Sequence, residues 1–421
     1  MCRTPLRQAE PGGVRSGARL TPGAPVRINL DMGASESSTF SGVVQLRRSL
    51  HRIPELAFEE ERTAECVLAA LAPLGLTTTY GGRGTGIVAR LRGRVSSSPI
   101  VALRAEMDAL PGQESTGLPF ASEHPGRVHS CGHDAHMAVL VEAARLLAAD
   151  PPEGDVVFIF QPAEERGRGA RVMIAAGALE GVRAVFAGHV TRHYKVGHIM
   201  VTEGAVTARS DRFVLHVQGR GGHGARPHEA VDAVVVAGLL ISALQTLVSR
   251  ETDPLEPTVI TIGRIVAGIA ANVIADEALL EGTIRTTTPA VRDSVHRGIR
   301  RMAEAAGTLH NATVRVDIIE GNPPVINTSR EAEICRRAAE AVLGPRGVVP
   351  QEHPSMGAED FAFYLNEVPG CYVRFGACGE GQSYVPLHSP AFTIDESVLD
   401  IGARFFDRVV REAQQTLGRS S

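Results

Sequence analysis

Residues 156–165 read Val-Val-Phe-Ile-Phe-Gln-Pro-Ala-Glu-Glu, a continuous apolar run followed by a proline and two adjacent glutamates. An apolar run of this length is typical of a strand that is buried on both faces of a parallel sheet. In α/β proteins, ligands bind at the edge of the sheet where the carboxyl ends of the strands lie. The stretch therefore predicts an α/β core with Glu164 and Glu165 at the edge that carries function.

The segments on either side alternate between strands and helices. Apolar runs over 100–103 and 184–187 have the length of strands, and apolar residues recur at helical spacing over 59–71 and 170–176. A further helix is predicted to begin at Asp134, with this residue as its N-cap. The order of strand, helix, strand and helix predicts an α/β fold.

Residues 206–324 follow another order. The strands and helices predicted there span 213–217, 232–247, 259–262, 279–284, 291–305 and 314–319. Their β-α-β-β-α-β order matches the ferredoxin-like split unit. Because the candidate ligand His388 comes after this segment, we expect residues 41–205 and 325–421 to form one catalytic domain, with 206–324 inserted into it.

Composition narrows the class of protein. The 421 residues are 43% hydrophobic and 21% charged, as in an ordinary globular protein, and the net charge of −4 argues against nucleic acid as a partner. We expect no membrane span, since no apolar run approaches the roughly 18–20 residues required. Six scattered cysteines favour the reducing cytoplasm over a disulfide framework. Residues 1–40, rich in Arg, Gly and Pro, are interpreted as a disordered leader or a mis-assigned start, with Met32 as the true one.

Five potential metal ligands are spread along the chain: Cys131, His133, Glu165, His189 and His388. A thiolate, three imidazoles and a carboxylate are donors that borderline divalent ions bind. Glu164 adjoins one of these ligands, so it is placed to act as the base for a metal-activated water. Glu164, Glu165 and His189 are each expected to follow a strand. A single such residue is more often part of the core or of a loop, but together they predict a two-metal hydrolase.

Six longer motifs occur in order along the chain: Ser-Leu-His-Arg-Ile-Pro-Glu-Leu-Ala-Phe (49–58), Leu-Arg-Ala-Glu-Met-Asp-Ala-Leu-Pro (103–111), Cys-Gly-His-Asp-Ala-His-Met-Ala (131–138), Gln-Pro-Ala-Glu-Glu (161–165), Gly-Gly-His-Gly-Ala-Arg-Pro-His (221–228) and Met-Gly-Ala-Glu-Asp-Phe (356–361). They resemble the metallopeptidase-like amidohydrolases that include hippurate hydrolases, aminoacylases and plant auxin-conjugate hydrolases. The resemblance runs from about Val43 to the C-terminus. It implies a phosphorylase/hydrolase-like catalytic domain, an inserted ferredoxin-like dimerisation domain, and a homodimer or a dimer of dimers.

The resemblance also implies roles for the candidate ligands. Cys131 would bridge two divalent ions, which could be manganese, zinc, cobalt or nickel. One site would be completed by His133 and His189, and the other by Glu165 and His388. Glu164 would be the general base, and it would later pass its proton to the leaving amine.

Further roles are implied outside the ligand set. Asp108 resembles an aspartate that orients a ligand histidine. His223 would reach a neighbouring subunit's site and donate to the developing oxyanion. Asn272 and Arg285 are candidates for gripping the amide and the product carboxylate. His136 is expected to lie beside the metal ligands and not on a metal.

The chain departs from the family pattern at two places near the ligands. Glu106 stands where the family usually has Asp, and its longer side chain is expected to shift the local geometry slightly. After His189 the family commonly shows Trp and Pro, whereas this chain has Thr191-Arg192-His193-Tyr194-Lys195. The basic character of this segment predicts a pocket that prefers an anionic group, and Arg226 beside His223 points the same way.

The sequence therefore favours a metal-dependent amidohydrolase that cleaves N-acyl amino acids, hippurate-like compounds or related small amides. A dipeptidase or aminopeptidase with the same metal core is the second enzymatic interpretation. A non-hydrolytic binding paralogue is the alternative from another class. Loss of a ligand or of the base would favour that paralogue, but all six positions are present.

Overall fold

The computed structural model describes residues 36–81 and 85–419. The chain divides into two compact units, 1–42 and 43–421, and both sheets described below belong to the second. Of the predicted leader, residues 1–35 lie outside the described residues, while 36–40 belong to the helix Glu36–Arg52.

An eight-stranded mixed sheet forms the larger core, and its four central strands are parallel to one another. Their carboxyl ends therefore meet at one edge, as the apolar run at 156–165 predicts. In order across the sheet, the strands are Thr77–Gly81, Gly86–Leu91, Val156–Gln161, Ile100–Glu106, Val182–Lys195, Gly370–Cys378, Ile199–Met200 and Val348–Val349.

Helices cover both faces of this sheet. Along the strand Val156–Gln161, Phe158 and Phe160 point into one hydrophobic cluster, and Val157 and Ile159 point into another. Alternation between two apolar clusters is the physical reason that the run is apolar at every position. The helices of this part are Glu36–Arg52, Glu61–Leu71, His133–Ala149, Gly169–Ala175, Ser329–Leu343, Ala362–Glu367 and Val398–Gly418.

A second, four-stranded antiparallel sheet is formed by residues from the middle of the chain. Its strands, in order across the sheet, are Thr258–Ala267, Glu277–Thr286, Arg209–Gln218 and Thr313–Glu320. The helices Ala233–Thr246 and Pro289–His310 complete the β-α-β-β-α-β order, and the side chains of Asp232 and Thr288 cap them. The predicted fold class, an α/β part with a ferredoxin-like α+β part, is confirmed.

Short two-stranded ladders complete the strands of the described chain. The pairs are Leu110–Pro111 with Arg127–Val128, Gly204–Ala205 with Ile326–Asn327, and Gly222–His223 with Val273–Ile274.

The predicted role of Asp134 as an N-cap is wrong. The helix begins at His133, and its N-cap is Gly132 in the left-handed region, with φ 89°. The carboxylate of Asp134 instead accepts hydrogen bonds from Arg47 Nε at 2.7 Å and from His51 at 2.8 Å. Two buried partners outcompete the backbone N–H groups of the first turn for this side chain.

The expectation of no segment long and apolar enough to cross a membrane is also wrong. Among the described residues, Ala233–Glu251 has that length and composition, with a mean hydropathy of 1.7. Its buried residues, which include Val236, Leu240 and Leu244, pack into the hydrophobic core of the four-stranded sheet. The apolar character of this face is thus accounted for by packing within the protein.

Candidate active site

The first ligand group forms where a tight turn meets the central sheet. Gly132 separates Cys131 from His133, and a Cβ on this glycine would lie 2.4 Å from Val190 Cγ2. The turn therefore needs glycine both for its positive φ and for its contact with the sheet. Ligand atoms of Cys131, His133 and His189 lie within 4.8 Å of one another, with Cys131 Sγ 3.3 Å from His189 Nε2.

The sequence predicts that His189 follows its strand. In the structure, His189 lies within the strand instead. The strand spans Val182–Lys195 and is longer than its apolar run of 184–187. Pairing with Gly370–Cys378 extends it, since His189 lies opposite Arg374 in the parallel ladder. The partner strand comes from the far end of the chain, so the extension has no local signal.

Cys131 also belongs to a second group, with Glu165 and His388, whose ligand atoms likewise lie within 4.8 Å of one another. His388 Nε2 is 3.4 Å from Glu165 Oε1, and the backbone N–H of His388 donates to the Ser130 carbonyl at 2.8 Å. One thiol thus stands between two sets of donors, which is the arrangement of a bridging ligand.

Glu164 and Glu165 reach the same site because the backbone turns sharply just before them. The strand ends at Gln161, and Ala163 has a φ of 55°, in the left-handed region. The Asp108 carboxylate then accepts the backbone N–H groups of Glu164, at 3.1 Å, and of Glu165, at 3.0 Å. Both carboxylates lie within 4.8 Å of a ring nitrogen of His133, which adjacent residues of a regular strand would not allow.

His133 and His189 are each held through Nδ1, which leaves Nε2 directed toward the other candidate ligands. His133 Nδ1 donates to the Asp108 carbonyl at 2.8 Å, and its Nε2 is buried without a hydrogen bond. His189 Nδ1 donates to the Val190 carbonyl at 2.7 Å, and burial lowers the pKa of this imidazole well below its usual value. A neutral imidazole with a free lone pair is the form that binds a metal. Asp108 therefore orients His133 through its carbonyl and positions both glutamates through its carboxylate.

Burial disfavours the ionised forms of two acidic groups in the site. Burial, with the charge of Glu165, raises the pKa of the Cys131 thiol to about 12. Burial also raises the pKa of Glu164 well above its usual value, and the neighbouring Glu359 and Asp360 reinforce the shift. A divalent ion would compensate both groups in their ionised forms. The donor set and the unpartnered His133 nitrogen together fit a metal centre.

A buried arginine network contacts the segment that hydrogen-bonds Glu164, and no role for this arginine was predicted from the sequence. Arg104 donates to Gln161 Oε1 at 2.8 Å, to Glu359 at 2.9 Å and to Asp360 at 2.8 Å, and it also contacts Glu106. The Asp360 N–H in turn lies 3.4 Å from a carboxylate oxygen of Glu164. The available signal was an arginine in the middle of an apolar strand, together with the Glu-Asp pair at 359–360.

His136 is excluded as a ligand by its own hydrogen bonds. Its Nδ1 donates to Glu106 at 2.8 Å, and its Nε2 accepts the Val190 N–H at 2.9 Å. Both ring nitrogens are therefore engaged within the protein. Glu106, the longer acid noted in the sequence, reaches this ring and the Arg104 guanidinium.

His223, Asn272 and Arg285 are not part of these ligand groups among the described residues. His223 lies on an exposed two-stranded ladder, and Asn272 directly precedes the other strand of that ladder, where its carbonyl accepts the Gly224 N–H at 2.9 Å. Arg285 lies on the strand Glu277–Thr286, half-buried, and one of its terminal nitrogens is buried without a hydrogen bond.

The basic segment after His189 does not present its arginine to a pocket. Arg192 is buried, and its guanidinium donates to the backbone carbonyls of Ser383 and Thr393. Arg192 therefore does not contribute to the predicted preference of the pocket for an anionic group, and that preference stays a prediction. The guanidinium binds carbonyl groups of a distant segment inside the fold. This long-range contact cannot be predicted from the sequence.

Replacing Cys131 by Ala is expected to weaken the uptake of both divalent ions, because one thiolate serves both ligand groups. Removal of the hydrogen-bond partner of a metal ligand typically lowers metal affinity by roughly 10–100-fold. Removal of the ligand itself should lower the affinity further. Equilibrium dialysis with elemental analysis measures it. The matched control is Cys66→Ala, which removes another buried thiol, in the helix Glu61–Leu71, and should leave metal uptake unchanged. Equal uptake by the two variants would show that Cys131 is not a ligand.

The chain is similar to known proteins of one family. Residues 102–412 match the model of the peptidase family M20/M25/M40. An N-acetylcysteine deacetylase of Bacillus subtilis is 39% identical over 86% of this chain and 94% of its own length. The IAA-amino acid hydrolase ILR1-like 4 of Arabidopsis thaliana is 36% identical over 88% and 85%.

A solved structure of the same family is also similar to this chain. The YxeP protein of Bacillus subtilis, a dinuclear metal-binding peptidase of the M20 family, is 35% identical to this chain. The match covers 90% of this chain and 100% of that one, with a TM-score of 0.79. The resemblance noted in the motifs is confirmed: this chain belongs to the peptidase family M20/M25/M40.

Proposed function

We propose that this protein hydrolyses the amide bond of N-acyl amino acids with the help of two divalent ions. The observation that carries the proposal is the position of Cys131, shared by the two ligand groups, with Glu164 beside them. His133 and His189 would complete one ion site, and Glu165 and His388 the other. The similarity to an N-acetylcysteine deacetylase and to an IAA-amino acid hydrolase supports this substrate class.

Bound ions would supply a Lewis acid for the amide carbonyl and would lower the pKa of the attacking water. Glu164 is the residue of this chain that moves the proton. Burial raises the pKa of Glu164 above its usual value, and a raised pKa suits a group that first accepts a proton and then donates it. Asp108 holds the backbone of Glu164 and thereby fixes where its carboxylate lies.

The substrate contacts are proposed to come from a second copy of the chain. His223, on an exposed ladder, and Asn272, directly before its second strand, belong to the part formed by residues 206–324, which we propose is an inserted dimerisation domain. Apolar side chains of this part are exposed on a helix and on an edge strand of the four-stranded sheet, as a homodimer interface requires. They are Val234, Val235, Leu239, Val259, Ile265 and Val266.

His223 would then donate to the oxyanion of its partner's substrate, and Asn272 and Arg285 would hold the amide and the carboxylate. The half-buried Arg285, with an unpartnered nitrogen and no carboxylate within ion-pair distance among the described residues, supports a role in binding an anion. The bound metal would be manganese, cobalt, nickel or zinc, since the donor set suits each of these ions. We propose the cytoplasm as the compartment, where the Cys131 thiol stays reduced.

A substrate panel tests the proposal. Metal-stripped protein is reloaded with manganese, zinc or cobalt, and amine release is measured from N-acetyl and N-benzoyl amino acids and from free dipeptides. We expect release from the acylated compounds only, and only with metal restored.

The other outcomes distinguish the alternatives. Faster cleavage of free dipeptides would identify a peptidase, because a free amine needs an anionic anchor that an acyl group does not. Stoichiometric metal uptake without release from any compound would favour the non-hydrolytic interpretation.

A further inference from the structure

We propose that Arg192 is a positioning residue that closes the base of the loop carrying His388 and thereby sets the geometry of the Glu165–His388 half of the site. The inference rests on the proposed function in assigning His388 to a metal. The clamp itself is a feature of the fold, and it can be tested without any metal.

The guanidinium of Arg192 joins the two limbs of this loop. Nη2 donates to the Ser383 carbonyl on the incoming limb, and Nη1 donates to the Thr393 carbonyl on the outgoing limb at 2.6 Å. Nη1 also lies 2.9 Å from Gln382 Oε1. His388 lies midway along the chain between Ser383 and Thr393, at the part of the loop farthest from the clamp.

His388 has few restraints of its own. Its side chain is 55% exposed, and its φ of 67° lies in the left-handed region, which non-glycine residues adopt only when their surroundings impose it. Two backbone hydrogen bonds hold the tip of the loop: the His388 N–H donates to the Ser130 carbonyl, and the Pro390 carbonyl accepts the Ser115 N–H at 2.9 Å. The contacts of Arg192 add a constraint at the base of the loop, on both of its limbs.

Arg192 is suited to this task by burial and shape. It is 4% exposed, and among the described residues no carboxylate lies within ion-pair distance of it. A cation is costly to bury unless its donors are satisfied, and here carbonyl and amide oxygens accept from both terminal nitrogens, while Nε is buried without a hydrogen bond. The planar fork of arginine reaches two limbs at once, whereas the single ammonium of lysine does not.

The clamp also links the two ligand groups. Arg192 lies on the strand Val182–Lys195, which carries His189 of the first group, and its contacts fix the loop of the second. A second contact joins the same strand to the loop. The ring of Tyr384 packs against that of His193, with the ring centroids 4.7 Å apart. The end of this strand thus holds the spacing between the two halves of the site.

The test compares Arg192→Met, Arg192→Lys and the control Arg183→Met. Arg183 is exposed at the other end of the same strand, so its replacement removes one positive charge without touching the loop. Two measurements are made on each full-length protein: amide hydrogen exchange without metal, and a cobalt titration followed by the visible spectrum.

For Arg192→Met we expect exchange in residues 384–392 to be at least about tenfold faster than in the unaltered protein. The second cobalt equivalent should bind about 10–100-fold more weakly, while the first remains unchanged. Arg192→Lys, which keeps the buried charge, should show the same selective changes in smaller measure. Arg183→Met should show neither.

Unchanged exchange in 384–392 for both Arg192 variants would overturn the proposal. So would a lysine variant that matches the unaltered protein, since charge alone would then suffice. If the unaltered protein takes up no second cobalt, the proposed two-metal function fails, and the exchange comparison still decides whether Arg192 clamps the loop.

Discussion

Replacement of Glu164 by Gln is expected to lower kcat by about 10²–10⁴-fold, the contribution typical of a general acid–base group. The amide has nearly the shape of the carboxyl group but cannot accept the proton of the attacking water. The backbone contacts of Glu164 with Asp108 do not depend on its side chain, so the fold and both ligand groups should persist. Steady-state kinetics with the preferred acyl amino acid measures the effect, and elemental analysis checks the metal content.

The matched control is Glu180→Gln, which neutralises an exposed carboxylate outside the site and should leave kcat unchanged. An E164Q protein that binds two ions and retains kcat within a few fold would rule out this glutamate as the base. Loss of metal together with activity would instead show that Glu164 is itself a ligand.

Replacement of Arg104 by Met is expected to lower the free energy of unfolding by about 3–5 kcal/mol, as when one partner of a buried ion pair is removed. The methionine fills similar space, but Glu106, Glu359 and Asp360 would lose the cation that all three contact. Burial already raises the pKa of Asp360 to about 7, so an uncompensated carboxylate there is costly. Urea denaturation measures the change.

Arg90→Met provides the comparison. Arg90 also pairs with an acidic residue, Asp155, at 2.8 Å, but its side chain is 44% exposed. An exposed pair contributes about 0–1 kcal/mol, so this variant should stay close to the unaltered protein. Similar decreases in the free energy of unfolding of the two variants would show that burial does not increase the contribution of the Arg104 network to stability.

The activity of Arg104→Met carries a second expectation. Because Asp360 contacts Glu164 through its backbone N–H, a shift of the 359–360 segment should move the base. Activity should therefore fall under conditions where the protein is still folded. A fall in activity of the folded variant would show that the network contributes to function as well as to stability.

Much of the fold follows from local patterns. Val156–Gln161 could be predicted as a buried strand because alternate residues pack into two apolar clusters. The helix Ala233–Thr246 was also predictable, since Asp232 caps it with local contacts. Local patterns gave wrong predictions where contacts with distant residues determine the structure. Pairing with Gly370–Cys378 extends the strand that carries His189 beyond its apolar run. The predicted cap residue Asp134 binds Arg47 and His51 instead of the helix backbone.

The sequence by itself determined which residues have metal-binding chemistry, because the types and order of the donors in their motifs are local properties of the chain. Only the tertiary structure decided how Cys131 comes to lie between two ligand groups. It also decided that Ala163 turns both glutamates to one side, and that Arg104 and Arg192 hold the base and the His388 loop. These contacts join residues far apart in the chain, and their strength comes from burial, which no local pattern encodes.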